Sequence, residues 1–274
     1  MKINTRFFHE NGFLIIRNFY SKKLIYKIKK DIFEISKEIY KKYNKKFSTI
    51  KYNPDDFEYF VLKARNEKKS EVTSAIYDAC KKLRGFYEII SNKKLLTIAE
   101  KLTGSKRLGI LPGGFGVRID YPKDRYWKAR LHQDYTSQLG SPNGIVCYTP
   151  LGNLTQKKGP VILYTGSHKK GVFETKINLN GLKKKQTYDP YYIKISKKEL
   201  KRYKIKYLNL KETDLGIFHF LLLHESGFNS SNKIRWSMVH RIFDFSHKQA
   251  INQDYKGGLM EGNIFDKSKH VKYL

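Results

Sequence analysis

His132 and Asp134, two positions apart, are answered far downstream by His224 and, eleven residues further on, by Arg235. Two imidazoles and one carboxylate are the donor set of a facial iron(II) site that leaves three coordination positions open. A guanidinium beyond them is what a small diacid needs in order to be clamped beside such an iron. An isolated His-x-Asp arises by chance far more often than as a metal site. The run His224-Glu225-Ser226-Gly227-Phe228-Asn229, with Arg235 after it, is much harder to assign to coincidence. His9, His219, His240, His247 and His270 have no evident partners and read as structural or surface residues.

These residues need elements to position them. From about Arg107 the sequence breaks into short β-rich stretches separated by Gly, Pro and Asn turns. They run Gly114 to Tyr121, Tyr126 to His132, Gly144 to Pro150 and Pro160 to Thr165, then Ile205 to Leu210, Leu215 to Leu223 and Arg235 to Phe245. Strands without intervening helices favour an antiparallel sandwich or barrel. His132 and Asp134 then share one face at the end of a strand, and His224 closes another strand opposite it. The preceding part reads as helical, and its helices are expected to pack outside the barrel. Ser21 is an N-cap for apolar positions Leu24, Ile25, Ile28, Ile32, Ile35 and Ile39 at helical spacing. A second helix is expected over Ser70 to Leu83, and a third from an N-cap at Ser91 to about Leu102, stopped by Gly104. The expected division of one domain over 1–274 is helices at about 20–105, a β core at about 107–245, a Lys-rich lid at about 169–204 and a polar tail at about 249–274.

Composition bounds the function classes. The 274 residues, 40% hydrophobic and 14% aromatic, suffice for one sizeable core. No apolar run approaches a membrane span and no secretory apolar region opens the sequence, so cytoplasmic residence without a membrane partner is expected. Cys80 and Cys147 lie far apart and outside any CxxC, which excludes a zinc knuckle and argues against a disulfide framework. The formal charge of +30 hints at an anionic partner. Lysines are nevertheless spread along the whole chain, and Ile, Asn, Tyr and Phe are abundant too. A codon bias explains the charge better than a nucleic-acid surface does.

With these motifs in order, the chain resembles the phytanoyl-CoA dioxygenase-like branch of the iron(II)/2-oxoglutarate-dependent oxygenases. Residues Phe8 to Phe19 look like that family's opening strand and His132-Gln133-Asp134 like its metal motif. Gly159-Pro160-Val161-Ile162-Leu163-Tyr164-Thr165-Gly166-Ser167-His168 is similar to its glycine-proline strand and Gly-Ser-His turn. His224-x-Ser226-Gly227-x-Asn229 with Arg235 looks like its distal motif. The resemblance spans about residue 8 to about residue 245. It implies a double-stranded β-helix, the cupin-like jelly roll, with Fe(II) on His132, Asp134 and His224. It also implies 2-oxoglutarate on Arg235 and O2 as co-reactant. Tyr148 matches a position where the family often has tryptophan beside the cosubstrate. Arg118 and Gln138 either help bind cosubstrate or substrate, or are a surface salt-bridge residue and a turn residue. His168 reads as a turn residue, with Gly166 needed for its backbone conformation. Thr165 departs from the proline many relatives carry. Asp134 argues against halogenation, because related halogenases have a small residue there.

The expected activity is thus hydroxylation, or another halide-free oxidation, of a small and anionic metabolite such as a sugar or polysaccharide precursor. Two other classes stay open on sequence alone: a basic nucleic-acid-binding jelly roll and a non-catalytic sugar-binding barrel.

Overall fold

The computed structural model describes residues 3–44, 50–111, 116–177, 183–184, 191–258, 262–263 and 265. Three layers follow from where the apolar residues fall: helices, a large sheet and a small sheet.

The helical layer comprises α1 (Thr5–Asn11), α2 (Lys22–Tyr43), α3 (Tyr59–Asn66), α4 (Ser70–Cys80), α5 (Arg84–Ile90) and α6 (Lys93–Thr103). Ser21 caps α2 as expected, its side chain accepting from Leu24 N–H at 3.2 Å. Two caps differ from expectation. Ser91 ends α5, donating its hydroxyl to the Tyr87 carbonyl, and Asn92 caps α6 by accepting from Leu95 N–H. Gly104 stops α6 in the left-handed region at φ 69°. The expected opening strand is half helix: Asn4 caps α1, Gly12 ends it, and only β1 (Phe13–Ile16) is extended.

The large sheet runs β1–β9–β4–β11–β2, with β3 also on β11, where β2 is Leu108–Ile110, β3 Gly116–Asp120, β4 Gly144–Pro150, β9 Leu215–His219 and β11 Arg235–Asp244. The pairings among these strands are antiparallel. One face packs on the helices through Val117, Ile145, Cys147, Ile217, Met238 and Ile242 against Ile25, Ile28 and Ile32. The other face meets the small sheet through Val146, Tyr148, Phe218 and Val239. Buried on both sides, β4 reads as a nearly unbroken apolar run.

The small sheet is β10–β5–β8, with β5 Ile162–Tyr164, β8 Ile205–Tyr207 and β10 His224–Glu225. The expected strand Leu215 to Leu223 is therefore two pieces: β9 stops at His219, and Leu222 N–H bonds back to the His219 carbonyl. That turn carries the chain from the large sheet to the small one. The expected strand Tyr126 to His132 is a loop, because the Asp124 side chain accepts from the N–H groups of Tyr126 and Trp127 and replaces a sheet partner. The described parts of the 169–204 excursion contain an antiparallel pair, β6 (Thr175–Ile177) with β7 (Tyr191–Ile193), and a short helix α8 (Lys197–Leu200). Gly181, Asp189 and Pro190, the expected interruptions there, lie outside the described residues, as do Gly114, His270 and much of the tail.

Candidate active site

The backbone brings the two motif histidines together. His132 and His224 form an antiparallel bridge in which each N–H donates to the other's carbonyl, at 3.0 and 3.1 Å. Directly opposed residues present side chains on one face, and the imidazole centres lie 4.1 Å apart. Gln133 continues extended, and Asp134 then opens the short helix α7 (Asp134–Gln138). This bridge-to-helix junction, and not the expected strand, turns the Asp134 carboxylate back toward the rings. Oδ1 stands 3.6 Å from His132 Nε2, and Oδ2 stands 3.9 Å from His224 Nε2. One donor atom from each residue lies within 4.8 Å of the other two.

Neighbouring backbone fixes the rings. His132 Nδ1 is 2.6 Å from the Arg130 carbonyl and His224 Nδ1 is 2.9 Å from the Leu222 carbonyl. Carbonyls only accept, so each Nδ1 carries the proton and each Nε2 keeps its lone pair toward Asp134. Burial, with His132 alongside, drives His224 down to about 3 and keeps it neutral. Burial opposes the charge on Asp134, but Arg241, whose Nη2 lies 3.2 Å from Oδ1, and the two imidazoles hold its carboxyl far below the usual range. Asp134 Oδ2 is buried with no hydrogen-bond partner among the described residues. An unsatisfied carboxylate oxygen between two imidazole lone pairs is costly until a cation arrives. The donor set therefore fits divalent iron.

Arg235 starts β11 and is 2% exposed. It faces Asp120 across the β3–β11 ladder, with Nε and Nη2 at 3.1 and 3.0 Å from Asp120 Oδ2. Its Nη1 donates to the carbonyls of Gly159 and, at 3.0 Å, Gly227. This explains both glycines. Gly159 has φ +64°, and a Cβ on Gly227 would lie 2.6 Å from the Pro160 carbonyl, so only bare backbones let the two carbonyls converge on one nitrogen. Arg118 points to the same place, Nε donating to both oxygens of Asp120 at 3.0 Å. Arg118 itself is half-buried, and the ion pair is with a buried carboxylate of the same cavity.

Arg118, Asp120, Ala129, His132, Asp134, Tyr148, His224, Ser226, Arg235 and Arg241 all line one cavity between the sheets. Tyr148 lines the cavity from β4, and its hydroxyl is buried without a hydrogen-bond partner among the described residues. Burial pushes its phenol above the ordinary value, so it stays a donor. Gln138 is not among the lining residues; it ends α7 with its amide 3.3 Å from Ser137 Oγ. His168 is also elsewhere: Gly166 turns at φ 78°, Ser167 accepts from Leu223 N–H, and His168 Nε2 meets the His9 carbonyl. A larger surface cavity, about 740 Å³, lies between α3, α4 and the turn after β3 and has no metal-ligand cluster among the described residues.

Sequence reasoning did not single out Asp120, Arg241 or Ser226 as site residues. The signal was available for two of them. Stepping by two from Arg235 along β11 reaches Ser237, Val239 and Arg241, and from Arg118 along β3 reaches Asp120.

Among solved structures, the chain is similar to the epimerase SnoN in complex with Fe3+, alpha-ketoglutarate and nogalamycin RO, at 12% identity and a TM-score of 0.56, covering 88% of this chain and 82% of that one. The carbocyclase SnoK matches at 13% identity and a TM-score of 0.55, over 97% and 93% of the two chains. EctD from S. alaskensis with bound Fe matches at 14% identity and a TM-score of 0.52, over 88% and 75%. At such identities these likenesses establish the jelly-roll fold. No curated protein matches the sequence. No helix of the described residues is long and apolar enough to cross a membrane. The model of the phytanoyl-CoA dioxygenase (PhyH) family matches residues 8–237, and on that match the chain belongs to this family of iron- and 2-oxoglutarate-dependent oxygenases.

Proposed function

We propose that His132, Asp134 and His224 hold the iron, that Arg235 and Tyr148 receive the distal carboxylate of 2-oxoglutarate, and that the enzyme hydroxylates a small anionic metabolite such as a sugar or polysaccharide precursor. The observation that carries the metal assignment is Asp134 Oδ2, buried 3.9 Å from His224 Nε2 and without a hydrogen-bond partner among the described residues, while Oδ1 stands 3.6 Å from His132 Nε2. When bound, iron with 2-oxoglutarate supplies oxygen activation and C–H oxidation.

The chain's own residues do the rest. The Arg130 and Leu222 carbonyls keep both histidines in the metal-binding tautomer. Arg241 occupies Asp134 Oδ1 and leaves Oδ2 for the metal. Arg235 spends Nη1 on backbone carbonyls and both Nε and Nη2 on Asp120, so an incoming carboxylate would share the Nη2 edge with Asp120. The Tyr148 hydroxyl supplies a second donor. Arg118, Arg235 and Asp120 together carry one excess positive charge, which a single carboxylate neutralises. Val146, Val161, Phe218 and Val239 keep the chamber apolar between these groups.

The test is anaerobic loading with Fe(II) and 2-oxoglutarate, followed by oxygen and a panel of neutral and phosphorylated sugars. Succinate formation that requires both iron and His132 supports the reading. Absence of iron binding in the intact protein would overturn it.

A further inference from the structure

The loop after β3 leads into the His132 motif, and both of its ends reach the cavity. Arg118 and Asp120 line the chamber before it, Ala129 and His132 after it. Its apex carries Tyr126 and Trp127, the rings edge to face with centres 4.9 Å apart, and the Trp127 carbonyl is held by the lining residue Arg118. Trp127 is 45% exposed, whereas the other tryptophan, Trp236, is buried and donates to Glu58.

Polar contacts pin this apex. Asp124 Oδ1 accepts from Tyr126 N–H at 2.9 Å and from Trp127 N–H at 3.4 Å, and Asp124 Oδ2 accepts from Arg65 at 2.6 Å. Arg118 Nη2 donates to the Trp127 carbonyl at 2.7 Å. The same Arg118 grips Asp120 through Nε, and Asp120 grips Arg235. One unbroken chain of charged hydrogen bonds thus runs from the proposed cosubstrate arginine to the backbone of the exposed indole.

We infer that Arg118 is a positioning residue that couples occupancy of the Arg235 seat to the Trp127 rim, over which substrate enters. The inference rests on the cosubstrate role proposed for Arg235. Before the cosubstrate binds, Asp120 is shared by two guanidinium groups in a buried site. A carboxylate arriving at Arg235 Nη2 competes with Asp120 for that donor. Asp120 then leans toward Arg118, and Arg118 carries the Trp127 carbonyl with it. The rim is set for substrate only once the cosubstrate is in place.

The protein holds two tryptophans, and only one is accessible, so intrinsic fluorescence reads the rim directly. The full chain is loaded with Zn(II) in place of iron, titrated with 2-oxoglutarate, and followed by calorimetry and by acrylamide quenching of tryptophan emission. The quenchable emission is expected to change with the calorimetric Kd, and the change is expected to vanish in Trp127→Phe. In Arg118→Lys, which keeps the charge without the fork, 2-oxoglutarate still binds within about tenfold, yet the emission change is lost; Arg118→Met also removes the excess charge, so it binds more weakly and shows no emission change even at saturation. Binding without a change in the wild type, or a change that persists in both Arg118 variants, overturns the coupling. A calorimetric blank in the wild type removes the cosubstrate reading itself, and the coupling with it.

Discussion

Asp120 determines how the role of Arg235 can be tested. Removing Arg235 alone leaves Asp120 buried with less compensation and strips the Gly159 and Gly227 carbonyls of their donor. Arg235→Gln is therefore expected to lose about 3–5 kcal/mol of stability along with cosubstrate binding. The double variant Asp120→Asn/Arg235→Gln should recover much of that stability in chemical denaturation while calorimetry still shows no 2-oxoglutarate binding. Recovery of both would mean that Arg235 serves only the fold. At Asp134 the separation is sharper. Asp134→Asn keeps the volume but removes the charge between the imidazoles, so Co(II) affinity is expected to fall by at least tenfold in a spectroscopic titration. At this scale the sequence was most readable: His132, Asp134, His224 and Arg235 all line one chamber. Asp120 and Arg241 were harder to see because a charged residue on a strand announces neither its face nor its partner until register is known.

Register and turns are where local sequence and structure part company. The helix over Lys22–Tyr43 was legible because Ser21 and the spacing of its isoleucines agree, and β4 because a strand buried on both faces leaves an apolar run. The segment from Tyr126 to His132 has strand-like composition, but Asp124 satisfies its backbone from the side, which no periodicity reveals. Helices α3 and α5 are short, and tertiary packing of Phe60, Val61, Phe86 and Ile89 holds them more than any helical stripe does. The two motif glycines separate two kinds of constraint. Gly166→Ala meets no heavy atom closer than 3.7 Å, so only its φ of +78° resists, at about 1 kcal/mol. Gly159→Ala meets the same conformational resistance and also drives a methyl into the Phe228 and Gly227 backbones, so its loss in thermal or urea unfolding should be clearly larger. Equal losses at the two sites would show that the close approach at Gly159 relaxes freely. Gln133 ties elements together. Wholly buried between His132 and Asp134, it donates to the Gly171 and Leu221 carbonyls and accepts from Phe173 N–H. Gln133→Leu strands three backbone groups and is expected to cost about 2–5 kcal/mol in urea unfolding.

At the scale of the whole molecule, the helical layer converts the large sheet into a wall with two buried faces, and acid is expected to attack that wall from the side away from the chamber. His240 lies on β11 opposite Cys147, with 0% exposure and no hydrogen-bond partner for either ring nitrogen among the described residues. Burial, helped by Arg241, pushes it down to about 3. In the unfolded chain the same imidazole takes a proton near its ordinary value of about 6.5. Between pH 6.5 and about 3 the unfolded chain therefore binds a proton that the folded chain refuses. The stability this neutral histidine permits is complete above 6.5 and is lost as the pH falls, at about 1.4 kcal/mol per pH unit. His219, pushed down to about 3 by burial, adds a second loss of the same sign, and His224, also down to about 3, a third in protein stripped of metal. Above pH 5 most carboxylates are still charged, so the histidines dominate the slope there. Urea denaturation of chelator-treated protein at pH 7, 6 and 5 measures it. His240→Leu, which puts an apolar side chain among apolar neighbours, should reduce the slope between pH 6 and 5 by one proton. An unchanged slope would show that His240 accepts a proton within the folded wall and that the helix–sheet interface is open to water at its centre.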